Sequence, residues 1–177
     1  MNTRLVLVSC CAPCSAGAIR ELANKAVPGV DDFVVYFYNP NIFPAAEYQK
    51  RLAEQVKYCE TMGVKYFVDE YDHDAWRDAV RGLEDAPERG PRCSACFAFR
   101  FRRAARWAAE NGYDAITSVL GVSRHKSQSQ VDAAAMSVTN GAVKYMPIKW
   151  NEELRIQINR ESDFYRQRYC GCEFSLR

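Results

Sequence analysis

The chain has 177 residues, of which 48% are hydrophobic and 26% charged, and a formal net charge of only +2. That length builds one compact domain with a sizeable core, and the composition is that of a soluble globular protein. So small a charge excludes a global basic field for holding nucleic acid, so any such surface must be local. Eight cysteines, clustered rather than spread, point to metal rather than to a disulfide scaffold. No apolar stretch approaches the length of a membrane span. Leu7-Val8-Ser9-Cys10 loosely fits a lipoprotein cleavage pattern, but the apolar run Leu5–Val8 before it is too short for a secretory segment. A cytoplasmic, reducing location with no membrane partner is the expectation.

Leu5–Val8 reads as a short buried strand. It runs into Ser9-Cys10-Cys11-Ala12-Pro13-Cys14, after which a helix is expected with Ser15 as its N-cap. Three thiols therefore sit on a strand-to-helix turn, where helix amides favour thiolates. Asp32–Tyr38 is a second, wholly apolar strand, expected to be central and parallel. It ends in the rigid turn Asn39-Pro40-Asn41-Ile42-Phe43-Pro44. Ala45–Met62 is a helix closed by Gly63, with Tyr48, Leu52, Val56 and Cys59 on one stripe, which makes Cys59 a core thiol. Val64–Val68 is a third strand, followed by a short acidic helix over about 74–83. His73 is expected on the surface, because no second histidine lies at ligand spacing.

Cys93-Ser94-Ala95-Cys96 opens a helix that runs to Asn111-Gly112. Phe97, Phe101, Ala104, Ala105 and Ala108 face the core, leaving Arg100, Arg103 and Arg106 on the other side. Asp114–Leu120 is a fourth strand, and Gly121–Gln130 a polar, basic loop. A helix over 130–139 stops at Asn140-Gly141, and a fifth strand spans Val143–Ile148. A polar helix over 152–167 precedes the tail Tyr169-Cys170-Gly171-Cys172. Strands alternating with helices imply a single three-layer α/β/α domain with a mainly parallel five-stranded sheet. The chemically loaded turns after the first, second and fourth strands converge at the C-terminal edge if the order is 3-2-1-4-5.

With Cys59 set aside, three clusters remain: Cys10, Cys11 and Cys14; Cys93 and Cys96; Cys170 and Cys172. Seven thiols exceed the four that a structural zinc or an iron–sulfur cluster takes. Either some are redox thiols, or a cluster and a second metal share the site. All-sulfur ligation favours iron–sulfur or zinc over magnesium or copper. Cys10 and Cys11, adjacent in extended backbone, are expected to point apart and to serve different metals. A thiol–disulfide oxidoreductase and a zinc-stabilised RNA-binding module stand as alternatives. The first turn carries cysteines where nucleotide chemistry would need a glycine-rich loop.

Four separated motifs in order carry a resemblance over essentially the whole chain. They are Ser-Cys-Cys-Ala-Pro-Cys-Ser at 9–15; Phe-Tyr-Asn-Pro-Asn-Ile at 37–42 with Glu47-Tyr48 and Lys50-Arg51; Glu88-Arg89-Gly90 with Arg92, Cys93, Cys96 and Phe97; and Tyr165-Arg166-Gln167 with Tyr169-Cys170-Gly171-Cys172. Together they resemble the QueH-type, cobalamin-independent epoxyqueuosine reductases. Leu120, Ser123 and Lys126 also fit, with Val119 where a threonine is common.

The resemblance implies a HUP, adenine-nucleotide-hydrolase-like sheet. It further implies one iron–sulfur reductase domain over 1–177, with 165–177 a cysteine-bearing tail folding back over the site. The implied reaction is two-electron removal of the epoxide oxygen of epoxyqueuosine at the wobble position of tRNA, giving queuosine. The implied cofactors are a [4Fe–4S] cluster and an adjacent mononuclear iron, or zinc in its place, and an external electron donor is required. Cys10, Cys11, Cys14, Cys93, Cys96, Cys170 and Cys172 are the expected metal ligands. Cys10, Cys14, Tyr38 and Asn39 are expected at the reacting centre, and Asn41 at the substrate. Arg100, Arg103, Arg124, Lys126 and Arg166 are expected to meet phosphates of the tRNA.

Overall fold

The protein is described by a computed structural model covering residues 3–139 and 141–176. Five parallel strands form one sheet in the order β3-β2-β1-β4-β5: β1 (Thr3–Ser9), β2 (Val30–Phe37), β3 (Tyr66–Val68), β4 (Ala115–Ser118) and β5 (Lys144–Tyr145). The helices are α1 (Ala12–Ala23), α2 (Ala45–Met62), α3 (His73–Ala79), α4 (Pro91–Glu110), α5 (Gln128–Val138) and α6 (Glu152–Glu161). The expected topology is therefore what forms.

β1 is central because it is apolar on both faces. Side chains alternate across a strand, and both sets are buried here. Val6 and Val8 pack with Phe97, Phe101, Ala104 and Val131 under α4 and α5. Leu5 and Leu7 pack with Ala16, Ile19, Tyr58 and Ile158 under α1, α2 and α6. Each such side chain removed from water contributes ~1.5–3 kcal/mol. β1 pairs with β2 on one side and β4 on the other, with Val8 opposite both Tyr36 and Ser118. The carboxyl ends of β1 and β4 thus flank the point where strand order reverses, the crevice in which open α/β sheets bind ligands.

Several boundaries differ from the sequence reading. α1 begins at Ala12, with Pro13 in its first turn and Cys11 at the N-cap position. Proline suits that turn, because its missing N–H would have had no helical partner. Ser15 is therefore no cap. It is fully buried, with its hydroxyl 3.0 Å from the Cys11 carbonyl and 2.9 Å from Gln55 Oε1. α3 is shorter than expected, capped by the Asp72 carboxylate on the Ala75 N–H at 2.9 Å. The edge strands β3 and β5 shrink to three and two residues, as befits strands paired on one side only. α6 stops at Glu161, so 162–172 is free to run back across the sheet edge. Asn140 of the expected Asn140-Gly141 stop lies outside the described residues.

Candidate metal centre

The three segments that carry thiols meet at the C-terminal edge of the sheet. Cys10 and Cys11 leave β1, and Cys14 lies in the first turn of α1. Their sulfurs lie within 4.8 Å of one another and, among the described residues, form the only such group of three potential ligands. Cys10 Sγ and Cys11 Sγ are 3.7 Å apart, so the expectation that they point apart is corrected. The immediate start of α1 after Cys11 folds the backbone back and brings the sulfurs together.

The other four thiols surround a narrow cavity of about 20 Å³. Cys93 and Cys96 come from the first turns of α4. Cys170 and Cys172 come from the tail, held by an antiparallel bridge between Ile42 and Cys172 and by the Phe43 N–H on the Gly171 carbonyl at 2.9 Å. The buried Arg51 completes the latch: it pairs with Glu47 at 2.8 Å and donates to the carbonyls of Tyr169 (3.1 Å) and Cys170 (3.2 Å). Tyr165 Oη donates to the same Glu47. Sequence reasoning missed this latch, because an i, i+4 Glu–Arg pair looks like ordinary helix-surface pairing.

All eight cysteines are free thiols. Cys10 is held well below the usual thiol range. Hydrogen bonds from Cys11 and then Cys14 outweigh its burial, and the charges of Lys126 and Arg100 add to them. Its donors move the other way: Cys11 is pushed up to about 12, chiefly by its hydrogen bond to Cys10, and Cys14 rises for the same reason. Burial raises Cys93, and it pushes Cys172 up to about 12. Metal binding must displace these protons, so metal affinity rises with pH.

The first group opens onto a cavity of about 660 Å³, bounded opposite the cysteines by α6 and the segment after it. Arg124, Lys126 and Arg166 line this cavity, as do Arg155, Asn159 and Arg160 of α6. The α6 residues escaped sequence reasoning because a polar helix carries no signal of which face meets a site. Asn159 Nδ2 donates to the Pro13 carbonyl at 2.9 Å, tying α6 to the cysteine turn.

Other expected site residues sit deeper. Tyr38 and Asn39 are 5% and 1% exposed. Asn39 donates to the Ser9 carbonyl at 2.9 Å and accepts from Arg100. Asn39 thereby braces the end of β1, and neither residue lines the open cavity. Asn41 is buried and lines the narrow cavity. Arg100, expected on a solvated face, is 1% exposed and beyond reach of a surface phosphate. Arg103 is engaged by Asp69 through bonds of 2.8 and 2.9 Å, while Tyr36 Oη also donates to that carboxylate. His73 is not a surface residue either: its Nδ1 meets the Pro40 carbonyl at 2.6 Å, and its ring stacks on Phe43 and Trp76.

The sulfurs fit metal. Zinc–sulfur bonds of ~2.3 Å put the corners of a tetrahedral site about 3.8 Å apart, close to the 3.7 Å found between Cys10 and Cys11. The remaining four thiols match the ligand count of an iron–sulfur cluster.

Comparison with known proteins agrees. The sequence model of a family described as "Epoxyqueuosine reductase QueH" matches residues 5–177. The chain is 39% identical over 182 residues to a protein of that name from Histophilus somni, covering 99% of this chain and 73% of that protein. It is 37% identical to the one from Haemophilus influenzae, with the same coverage. A shorter relative from Dehalococcoides mccartyi is 31% identical, covering 99% of this chain and 93% of that protein. Among solved structures, the U34-tRNA thiolase NcsA from Methanococcus maripaludis with its [4Fe-4S] cluster superposes with a TM-score of 0.61. At 16% identity over 99% of this chain and 62% of that one, it shares the fold. A family match over nearly the whole chain, relatives covered for most of their length, and thiols gathered from three distant segments lead to one assignment: this chain belongs to the epoxyqueuosine reductase QueH family.

Proposed function

We infer that this protein reduces epoxyqueuosine at the wobble position of tRNA to queuosine. The epoxide oxygen leaves as water, taking up two electrons and two protons and leaving a carbon–carbon double bond. The observation that carries this reading is the convergence of seven thiols in two groups, one opening onto a large cavity and the other around a narrow one. We read residues 1–177 as one reductase domain whose segment from 165 onward folds back over the site. An external donor supplies the electrons, and a reducing compartment, the cytoplasm, keeps the thiols free.

The two groups suggest a division of labour. Cys93, Cys96, Cys170 and Cys172 supply four ligands around an enclosed space, the set a [4Fe–4S] cluster takes. Cys10, Cys11 and Cys14 lie together at the wall of the large cavity and would hold a single ion there. When bound, the cluster supplies electrons singly, and the single iron or zinc ion acts as Lewis acid toward the departing oxygen.

The protein's own side chains position the substrate. The wobble nucleotide must leave its stack to reach a cavity this deep. Phe164, Tyr165 and Tyr169 line that cavity and offer aromatic faces to the extruded base. Arg124, Arg160 and Arg166 are exposed at its edge and meet backbone phosphates. Asn39 acts indirectly, by holding the β1 terminus.

Anaerobic purification followed by iron and sulfide assay, with visible and EPR spectra, tests the reading. More than four iron per chain and a brown colour bleached by dithionite are expected. Cys93→Ala should lose the cluster, whereas Cys10→Ala should keep it. Zinc alone, or unchanged queuosine in tRNA from a strain lacking this chain, overturns the assignment.

A further inference from the structure

Three cations line the cavity of the enclosed thiols, and among the described residues none of them forms an ion pair with a carboxylate. Arg92 and Arg100, 2% and 1% exposed, line the narrow cavity with Lys126 and the four thiols. Arg92 donates to the carbonyls of Glu84 (2.6 Å) and Ala86. Arg100 donates from Nε to the Tyr38 carbonyl (3.2 Å) and from Nη2 to Asn39 Oδ1, while its buried Nη1 has no partner. The Lys126 ammonium makes no hydrogen bond or ion pair among the described residues. The other buried arginine, Arg51, is paired with Glu47. Glu88 and His125 also line the cavity, but they face each other at 3.7 Å, with 41% and 22% of their side chains exposed.

Burying a charge without a counter-ion costs several kcal/mol; Arg92 and Arg100 are buried in that way, and with the half-buried Lys126 beside them the cavity calls for an anion. The thiolates supply it. Seven thiolates around a 2+ cluster core and a 2+ ion carry a net charge of about −3. We propose that Arg92, Arg100 and Lys126 are the fixed countercharge of the metal–thiolate assembly and set its reduction potential. Adding an electron beside fixed positive charge in a low-dielectric site is favourable, so the three cations raise the potential to where a cellular donor can reduce the site. The inference rests on the reading above, since it requires iron in the thiol site.

Anaerobic EPR-monitored redox titration of the iron-loaded protein tests it. Lys126→Gln removes a charge without removing a hydrogen bond, and Arg100→Gln removes a charge together with its fork. Each is expected to disfavour reduction about tenfold, a midpoint shift of about 59 mV to the negative for one electron, at unchanged iron content. Arg100→Lys, which keeps the charge and loses the fork, should stay within threefold of the parent. Unchanged midpoints in both glutamine variants overturn the proposal, as does an Arg100→Lys shift as large as that of Arg100→Gln. If Arg100→Gln does not fold, Lys126→Gln decides alone. A parent protein without an iron cluster overturns the reductase reading and the countercharge together, whereas unmoved midpoints in a brown protein overturn only the second.

Discussion

Cys59 shows how a single residue's role was legible from spacing. It falls on the apolar stripe of α2 and is fully buried, with Gln55 Nε2 at 3.5 Å. Burial pushes its thiol up to about 11, against ~8.5 for a free thiol. Between those values the unfolded chain releases a proton that the folded one keeps, so stability falls as pH rises through that window. Cys59→Ala should cost ~1 kcal/mol at pH 7.5 for the lost atom and should flatten the decline toward pH 10, as read from urea midpoints. Its iron content should match the parent's. Asn39 shows the opposite case. The family resemblance placed it at the reacting centre, but its amide bridges the Ser9 carbonyl and Arg100. Asn39→Ala should lower stability by ~1–3 kcal/mol through stranded buried partners, measurable by chemical denaturation.

The tail is the element whose placement matters most, and it is held by α2 and the turn before it rather than by its own structure. Gly171 has φ +106°, and a Cβ there would lie 2.9 Å from Ile42 Cγ1 and 3.1 Å from Arg51 Nη1. Gly171→Ala therefore combines left-handed backbone strain with a clash at the bridge that aligns Cys172. It should lower iron content while sparing the far-UV spectrum. Arg51→Met leaves Glu47 buried and unpaired, a loss of ~3–5 kcal/mol, and should expose the tail at Arg166 and Arg168 to trypsin. An intact tail in that variant would show that the bridge to Ile42 suffices.

At the scale of the whole molecule, basic charge is local rather than global, as the net charge of +2 requires. Arg124, Arg160 and Arg166 ring one cavity, while Arg103 is taken up by Asp69 and Arg100 by the interior. Reversing Arg124, Arg160 and Arg166 together to glutamate should weaken tRNA binding. It should also reduce the slope of log K against log salt by ~0.7–0.9 for each phosphate that is no longer neutralised. Filter binding across a salt series reads both. An unchanged slope would move the RNA surface elsewhere.

Taken alone, the sequence determined that strands alternate with helices and build a mainly parallel sheet covered on both faces. Those follow from local periodicity and from the rule that parallel strands put their crossovers on both faces; the order 3-2-1-4-5 stood as the condition for the loaded turns to converge, and the return of the tail to the site came with the family resemblance. It also carried the family, because four spaced motifs survive without any knowledge of contacts. Tertiary structure alone decided which thiols group together, that Arg100 turns inward and Arg103 pairs with Asp69 while α6 supplies the cavity wall, and that Glu47 and Arg51 latch the tail. The reason is physical. Periodicity reports which face of an element is apolar, whereas a charged side chain's partner lies on another element, tens of residues away. Only the packed chain specifies whether that partner is solvent, a carboxylate or a ring of sulfurs.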